Sequence, residues 1–147
     1  MKVLTPTGQE THSAELSDDL ILQVDVQPSN VYGGFVRSCH AESPTRKDED
    51  YYDITDAYGC ATDPTIFGKW EYNQSTRFLT AKFNAFKFAN SDDITFQCTV
   101  RTCLGQCQPV NCGRGGNDAF GRRRKRQISD EINCSTAIRV SYKTKRN

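Results

Sequence analysis

Long apolar runs and helical periodicity are both missing from this sequence of 147 residues. No apolar run approaches the roughly 18 residues that a membrane-spanning helix needs, and no segment places apolar residues at a helical period. No segment resembles a signal peptide either. We therefore expect a non-helical chain that is part of a longer precursor, secreted or anchored to a membrane by a segment outside this sequence.

Residues that carry catalysis or hold cofactors are also scarce. Histidine occurs only at His12 and His40, and His40 is better explained as the neighbour of a bonded cysteine than as a catalytic base. The glycines of Gly113-Arg114-Gly115-Gly116 lack the flanking strand and helix of a phosphate-binding loop. Three acidic clusters lack the ordered spacing of calcium ligands and are interpreted as solvated turns, at residues 18–19, 48–50 and 92–93. We predict no enzymatic activity and no cofactor.

The net charge of +1 hides a strong asymmetry along the chain. Residues 1–121 hold ten Lys and Arg against sixteen Asp and Glu, a net charge of −6. Residues 122–147 hold nine Lys and Arg against two Asp and Glu, a net charge of +7. A nucleic-acid-binding domain carries its basic patch on the folded surface, so an acidic body with a basic tail argues against that class of protein.

Cysteine, in contrast, is abundant, at positions 39, 60, 98, 103, 107, 112 and 134. Six cysteines permit fifteen pairings, and spacing alone does not choose among them. The spacings of five, four and five from Cys98 to Cys112 include no C-x2-C knuckle, which argues against structural zinc and for disulfides. Two glycosylation triplets begin at Asn73 and Asn133 and point to the same secretory route. We predict an oxidising compartment and no metal site.

β-branched and aromatic residues recur with period two between clusters of turn residues, which predicts a β-protein. The clearest strand is Ile94 to Arg101, whose Ile94, Phe96, Cys98 and Val100 share one face. Asn90 to Asp93 predicts a hairpin turn before it, and the charged Ser43 to Asp50 predicts an exposed loop. Further strands are predicted at residues 20–26, 31–37, 65–72 and 78–88, the last with a bulge or a bend around Ala85, and residues 1–4 are interpreted as a short apolar edge segment. Short strands at this spacing favour a sandwich of two sheets.

A basic run, Arg123-Arg124-Lys125-Arg126, fits the pattern R-x-[KR]-R that furin-like proteases cut after the last arginine. The acidic subsites of such proteases pair with these cations. Glycines at 113, 115, 116 and 121 precede the run and supply the flexible backbone that a protease draws into an extended conformation. A solvated basic tail is the alternative interpretation.

Beyond the basic run, Thr136 to Tyr142 alternates, with Ile138, Val140 and Tyr142 on one face. This pattern predicts a strand that a cut after Arg126 would separate from the body. A removable strand that covers a sheet edge would block unpaired N–H and C=O groups from pairing with another chain. An ordinary final strand of the sandwich is the other interpretation, because alternation over seven residues is common in β-proteins.

These features together resemble the C-terminal half of a zona pellucida (ZP) module, in its invertebrate matrix form more than its egg-coat form. The resemblance covers nearly the whole chain and rests on Phe35-Val36-Arg37-Ser38-Cys39, Cys60, Phe86-Lys87-Phe88, Phe96 through Cys103, Cys107, Cys112 and Arg122 through Arg126. It implies an immunoglobulin-like β-sandwich with the disulfide pairs Cys39–Cys98, Cys60–Cys112 and Cys103–Cys107. Cys134 has no partner in the family pattern, so it is free, pairs between chains, or bonds elsewhere in the precursor. The N-terminal half of the module is absent from this sequence.

The resemblance also implies a function. In that family, an external hydrophobic patch beyond the cleavage site opposes an internal patch and holds the precursor inactive, and its loss permits polymerisation. Ile138 and Val140 match the external patch, and Val3 and Leu4 the internal one. The implied segments are a ZP-C-like sandwich at 1–121, the cleavage site at 122–126 and a propeptide at 127–147.

We expect an extracellular-matrix polymerisation module whose partners are a furin-like protease and other ZP modules, in a homopolymer or a heteropolymer. We expect it to be secreted into the matrix from a membrane-anchored precursor. A monomeric adhesion or receptor ectodomain with a convertase maturation site is the alternative.

Overall fold

A computed structural model describes residues 1–26, 32–44, 50–56, 58–73, 75–89, 91–105, 107–112, 118–122 and 131–142. Within these ranges the chain forms strands and turns, and no helix there is long and apolar enough to cross a membrane. The strands are β1 (Lys2–Leu4), β2 (Ser13–Glu15), β3 (Asp19–Asp25), β4 (Tyr32–Glu42), β5 (Tyr51–Thr55), β6 (Glu71–Tyr72), β7 (Phe78–Asn84), β8 (Asp93–Leu104), β9 (Gln108–Asn111), β10 (Asp118–Arg122) and β11 (Glu131–Ser141).

The strands form two main sheets. A four-stranded sheet has the order β1-β3-β7-β6, and a five-stranded sheet has the order β2-β11-β8-β4-β5. Neighbouring strands are antiparallel except for β2 and β11, which pair in parallel. A separate antiparallel pair is formed by β9 and β10. The prediction of an all-β, immunoglobulin-like sandwich is confirmed.

The core lies between the two sheets and follows from the alternation of the sequence. On β8, Ile94, Phe96, Cys98 and Val100 are all buried, as the period of two predicts. Phe96 meets Phe83 of β7 edge to face with ring centroids 5.4 Å apart, and Phe83 stacks on Phe67 at 4.5 Å. These aromatic contacts bind the two sheets together, because β7 and β8 belong to different sheets.

Three disulfides reinforce this thin sandwich. Cys39–Cys98 joins the adjacent strands β4 and β8, Cys60–Cys112 joins the segments after β5 and β9, and Cys103–Cys107 closes a short loop. These are the pairs that the family resemblance implies. The first two span 59 and 52 residues, and each stabilises the fold by about 4 kcal/mol in the chain-entropy model.

The predicted hairpin between the strands at 78–88 and 94–101 is wrong. β7 ends at Asn84 and lies in the four-stranded sheet, whereas β8 begins at Asp93 in the five-stranded sheet. The connecting segment crosses from one sheet to the other and buries Ala85 and Phe88 on the way. Asn90 lies outside the described residues, and the rest of the polar cluster, 91–93, does not join the flanking strands as a hairpin.

The loop predicted to be exposed at 43–50 has buried ends. Ser43 and Asp50 are 0% and 1% exposed. The Ser43 hydroxyl donates a hydrogen bond to Asp50 Oδ2 at 3.0 Å, and the Ser43 amide donates to the Asp50 carbonyl at 3.1 Å. Asp50 was interpreted as part of a solvated turn and is instead a buried, hydrogen-bonded carboxylate, as buried polar groups must be. Residues 45–49 lie outside the described part of the chain.

The strand predicted at 65–72 is present only at Glu71–Tyr72. Upstream of it, Asp63 Oδ1 accepts hydrogen bonds from the amide of Thr65 at 3.0 Å and from its hydroxyl at 2.6 Å. Such a side-chain bond two residues along the chain stabilises a turn. The aromatic residues there are buried by their packing and not by a continuous strand, since Phe67 forms only an isolated bridge to Phe83.

Candidate functional site

The last strand, β11, is inserted into the five-stranded sheet between β2 and β8. Nine consecutive residues, Glu131 to Arg139, pair with Arg101 to Asp93 of β8. On its other side, Arg139 to Ser141 pair with the short strand β2. The alternating segment predicted at 136–142 is thus an inner strand of the sheet and begins earlier, at Glu131.

The inner face of β11 contributes to the sandwich core. Ile138 and Val140 are 2% and 0% exposed, whereas Ile132 at the start of the same face is 44% exposed. Tyr142, predicted to share this face, lies just beyond the strand and is 71% exposed. Burial therefore increases along the strand from Glu131 towards Val140.

The residues matched to the two hydrophobic patches lie in one core. Val3 belongs to the same buried cluster as Ile138 and Val140, and Leu4 is also buried at 8% exposed. Strand β1, which carries Val3 and Leu4, contacts β11 across the sandwich. The structure thus brings together residues from the two ends of the described chain.

Ion pairs join the outer face of β11 to its neighbours. At one end Glu131 Oε1 accepts hydrogen bonds from Arg101 at 2.5 Å and from Arg37 at 2.6 Å. Near the other end, Arg139 Nε donates to Asp93 Oδ1 at 3.0 Å. Glu131 lies opposite Arg101, and Arg139 opposite Asp93, in the antiparallel register. A parallel arrangement of the two strands would place like charges together, so these pairs specify the orientation and register of β11.

These contacts change the protonation behaviour of the groups involved. Hydrogen bonds from Arg101 and then from Arg37 lower the pKa of Glu131 below its ordinary value. A hydrogen bond from Arg139 likewise lowers the pKa of Asp93, and Asp93 raises the pKa of Arg139 in return. The ion pairs of β11 therefore hold while both carboxyl groups are ionised.

The far end of β11 is held by contacts that no local sequence pattern indicates. The amide of Val140 donates to the carbonyl of Asp92 at 2.8 Å, and the amide of Arg139 donates to the carbonyl of His12 at 2.9 Å. Lys87 forms an ion pair with Asp92, and its ammonium group lies 5.0 Å from the ring centroid of Tyr142. The cation–π contact could have been suspected only with the strand register known.

The basic run at 123–126 lies outside the residues that the structure describes. The described chain stops at Arg122, the last residue of β10, and resumes at Glu131, the first residue of β11. The cut predicted after Arg126 would therefore leave four residues, 127–130, before β11 begins.

The two glycosylation candidates occupy different settings. Asn73 is exposed on the turn between β6 and β7, where its side-chain oxygen accepts hydrogen bonds from the amides of Ser75 at 2.8 Å and Thr76 at 3.0 Å. Asn133 is exposed on the outer face of β11, where its side-chain oxygen accepts a hydrogen bond from the Thr99 hydroxyl at 3.2 Å. Glycosylation of Asn73 and of Asn133 remains a prediction.

The remaining cysteine, Cys134, is a partly buried free thiol that packs against the core. It lies directly opposite Cys98 in the pairing of β11 with β8. Within the described residues no group of three or more His, Cys, Asp and Glu side chains could hold a metal ion.

Comparisons with known proteins agree with this architecture. The family model of the zona pellucida ZP-C domain matches residues 2–113, which include β1 to β9 and all three disulfides. The match ends before the basic run and β11. Cuticlin-6 of Caenorhabditis elegans is 30% identical over 98 residues, a match that covers 62% of this chain and 17% of that protein. This chain thus corresponds to less than a fifth of its relative. The chain belongs to the zona pellucida family and contains its ZP-C domain.

Proposed function

We propose that this chain is an assembly module of the extracellular matrix that β11 keeps inactive until a protease cuts after Arg126. Membership of the zona pellucida family and the similarity to Cuticlin-6 support a structural role in an extracellular matrix, and both argue against an enzyme. We further propose that the protein is secreted into that matrix from a membrane-anchored precursor.

The observation that carries the proposal is the position of β11 against β8. Nine residues of β8 pair with β11, so removing β11 would leave that side of β8 without a partner. A long strand with unpaired N–H and C=O groups is a template for a strand from another chain. The short β2 loses its pairing at the same time, because it pairs with β11.

The core would favour replacement of β11 by another strand with apolar residues at alternate positions. Loss of β11 would uncover the apolar positions now filled by Ile138 and Val140, which are almost fully buried. Burying side chains of this size stabilises a fold by about 1.5 to 3 kcal/mol each. We therefore propose that the incoming strand belongs to another ZP module and carries apolar residues at alternate positions.

Cleavage would act by changing the effective concentration of β11. While the chain is intact, β11 is covalently joined to the rest of the domain. Such a covalent connection gives a segment an effective concentration at its site that can reach the order of millimolar. After the cut, the strand competes as a separate peptide, and a neighbouring module can displace it. A furin-like protease is the enzyme that the sequence of the basic run fits.

Assembly of the precursor with its N-terminal half restored tests the proposal. Wild-type protein, the uncut variant Arg126→Ala and the control Arg122→Ala, which keeps the R-x-K-R pattern intact, are treated with a furin-like protease. Light scattering and electron microscopy should detect filaments in the wild type and the control only. Filaments from uncut Arg126→Ala would eliminate cleavage as the trigger.

One observation favours the alternative of a monomeric adhesion or receptor ectodomain. β11 pairs on both sides, with β8 and with β2, as an ordinary inner strand does. In that case the cut protein keeps β11 and stays monomeric. Sizing of the protein before and after digestion separates the two functions.

A further inference from the structure

Three cysteines form a row across three neighbouring strands of the five-stranded sheet. Cys39 of β4 lies opposite Cys98 of β8, and Cys98 lies opposite Cys134 of β11. Residues directly opposite each other in an antiparallel pair direct their side chains to the same face. Cys39 and Cys98 are 1% and 3% exposed, and Cys134 packs against the same core. The three sulfur atoms therefore lie on the inner face, with that of Cys98 in the middle.

The backbone allows Cys98 to bond to either neighbour. Its disulfide with Cys39 already joins two directly opposite residues of adjacent antiparallel strands. Directly opposite residues in antiparallel strands have Cα atoms about 4.5 to 5.5 Å apart, and most disulfides span about 4.4 to 6.8 Å. A bond between Cys98 and Cys134 therefore needs no change in the register of β8 and β11.

We propose that Cys134 is an internal nucleophile that exchanges with the Cys39–Cys98 disulfide. The Cys134 thiol loses its proton to water, and its thiolate attacks the sulfur of Cys98. The Cys98–Cys134 bond forms as the Cys39–Cys98 bond breaks, and Cys39 leaves as a thiolate that takes up a proton. One disulfide and one thiol are present before and after the step, so no oxidant or reductant is consumed.

The order of the strands suits this reaction. Attack on a disulfide proceeds with the entering and leaving sulfur atoms on opposite sides of the central one. β11 and β4 lie on opposite sides of β8, so Cys134 approaches Cys98 from the side away from Cys39. The disulfide itself is buried, which restricts attack by thiols from solution, whereas Cys134 is already inside the sheet.

The exchange would link β11 covalently to β8, whereas β11 is otherwise held in the sheet by non-covalent contacts. In the isomer with Cys98–Cys134, a cut after Arg126 would not release β11. In the isomer with Cys39–Cys98, the same cut would leave β11 attached by packing and hydrogen bonds alone. This consequence rests on the proposed function, whereas the exchange itself does not.

Disulfide mapping of the full chain tests the exchange. The wild-type protein is equilibrated in a glutathione redox buffer with a disulfide isomerase, quenched in acid, alkylated, digested and mapped by mass spectrometry. We expect Cys98 in two cross-linked peptides, one with Cys39 and one with Cys134. Wild-type protein that contains only Cys39–Cys98, with Cys134 alkylated, glutathionylated or bonded between chains, would overturn the proposal.

Two variants provide matched controls for the mapping. Cys134→Ser should keep Cys39–Cys98 alone, and Cys39→Ser should form Cys98–Cys134. If Cys39→Ser fails to fold, the wild-type mapping still decides the question. A folded Cys39→Ser variant with free Cys98 and Cys134 would contradict the exchange.

The consequence for β11 is measured separately. After cutting at Arg126, the fraction of the tail that stays attached in denaturant should equal the fraction of Cys98–Cys134, and reduction should release it. A tail that leaves fully despite mapped Cys98–Cys134 would overturn the covalent lock. If the lock holds but the unlocked, cut precursor never assembles, the proposed function fails while the exchange stands.

Discussion

Truncation of Ile138 to alanine measures how strongly β11 is held in the uncut chain. Ile138 is 2% exposed in the core between the sheets. The substitution removes three buried carbon atoms and leaves a cavity beneath β11. Ile-to-Ala changes in protein cores cost about 2 to 5 kcal/mol, and we expect about 3 kcal/mol here because the side chain is fully enclosed.

The same substitution at Ile132 is the matched control. Ile132 lies on the same strand and the same face but is 44% exposed, so Ile132→Ala should cost less than about 1 kcal/mol. Urea unfolding with the disulfides intact is the assay. If the free energy of unfolding falls by about 1.5 kcal/mol per molar urea, Ile138→Ala should lower the urea concentration at the unfolding midpoint by about 2 M. Equal midpoints for the two variants would refute the packing of β11 described above.

Three further predictions concern an ion pair, a glycine and a glycosylation candidate. Because the pKa of Glu131 is lowered in the folded protein, its ion pairs with Arg101 and Arg37 stabilise the fold at pH values above its ordinary pKa of 4.5. This stabilisation is lost as the pH falls through the pKa of Glu131 in the folded protein. Thermal unfolding below pH 4.5 should therefore depend less on pH in Glu131→Gln than in the wild type. Gly59→Ala should destabilise more than Gly8→Ala in urea, because both have positive φ but only at Gly59 would a Cβ lie 2.4 Å from a backbone oxygen, that of Val36. Equal costs would contradict that clash. Asn73→Gln should lower the mass of the secreted protein by one glycan, and an unchanged mass would show that the exposed turn is unmodified.

The sequence was informative for β8 and β11, each of which has one buried face. The alternation from Ile94 to Val100 predicted β8 and its inner face, and the alternation around Ile138 predicted the buried face of β11. Both patterns are local, because successive side chains of a half-buried strand point alternately to the core and to solvent, so every second residue is apolar. Short strands without such a pattern were not predicted, and β2 (Ser13–Glu15) is an example.

Which strands pair could not be read from local patterns. The polar cluster at 90–93 is typical of a hairpin, yet β7 and β8 lie in different sheets. The ion pairs of Glu131 involve Arg37 and Arg101, which are 94 and 30 residues away in sequence. The position of Cys134 beside Cys98 likewise follows only from the register of β11. Such contacts depend on topology, which the spacing of residues along the chain does not determine.

Hydrogen exchange of β8 is the most direct test of the claim that β11 covers β8 and can leave it. The chain with Cys134→Ser, in which no disulfide can tether β11, is compared before and after a cut following Arg126. Exchange of the β8 amides that bond to β11 should accelerate at least about tenfold after the cut, a loss of about 1.4 kcal/mol of protection. The amides between β3 and β7 should be unchanged. Unchanged protection of β8, with the peptide 127–147 still bound, would contradict the account.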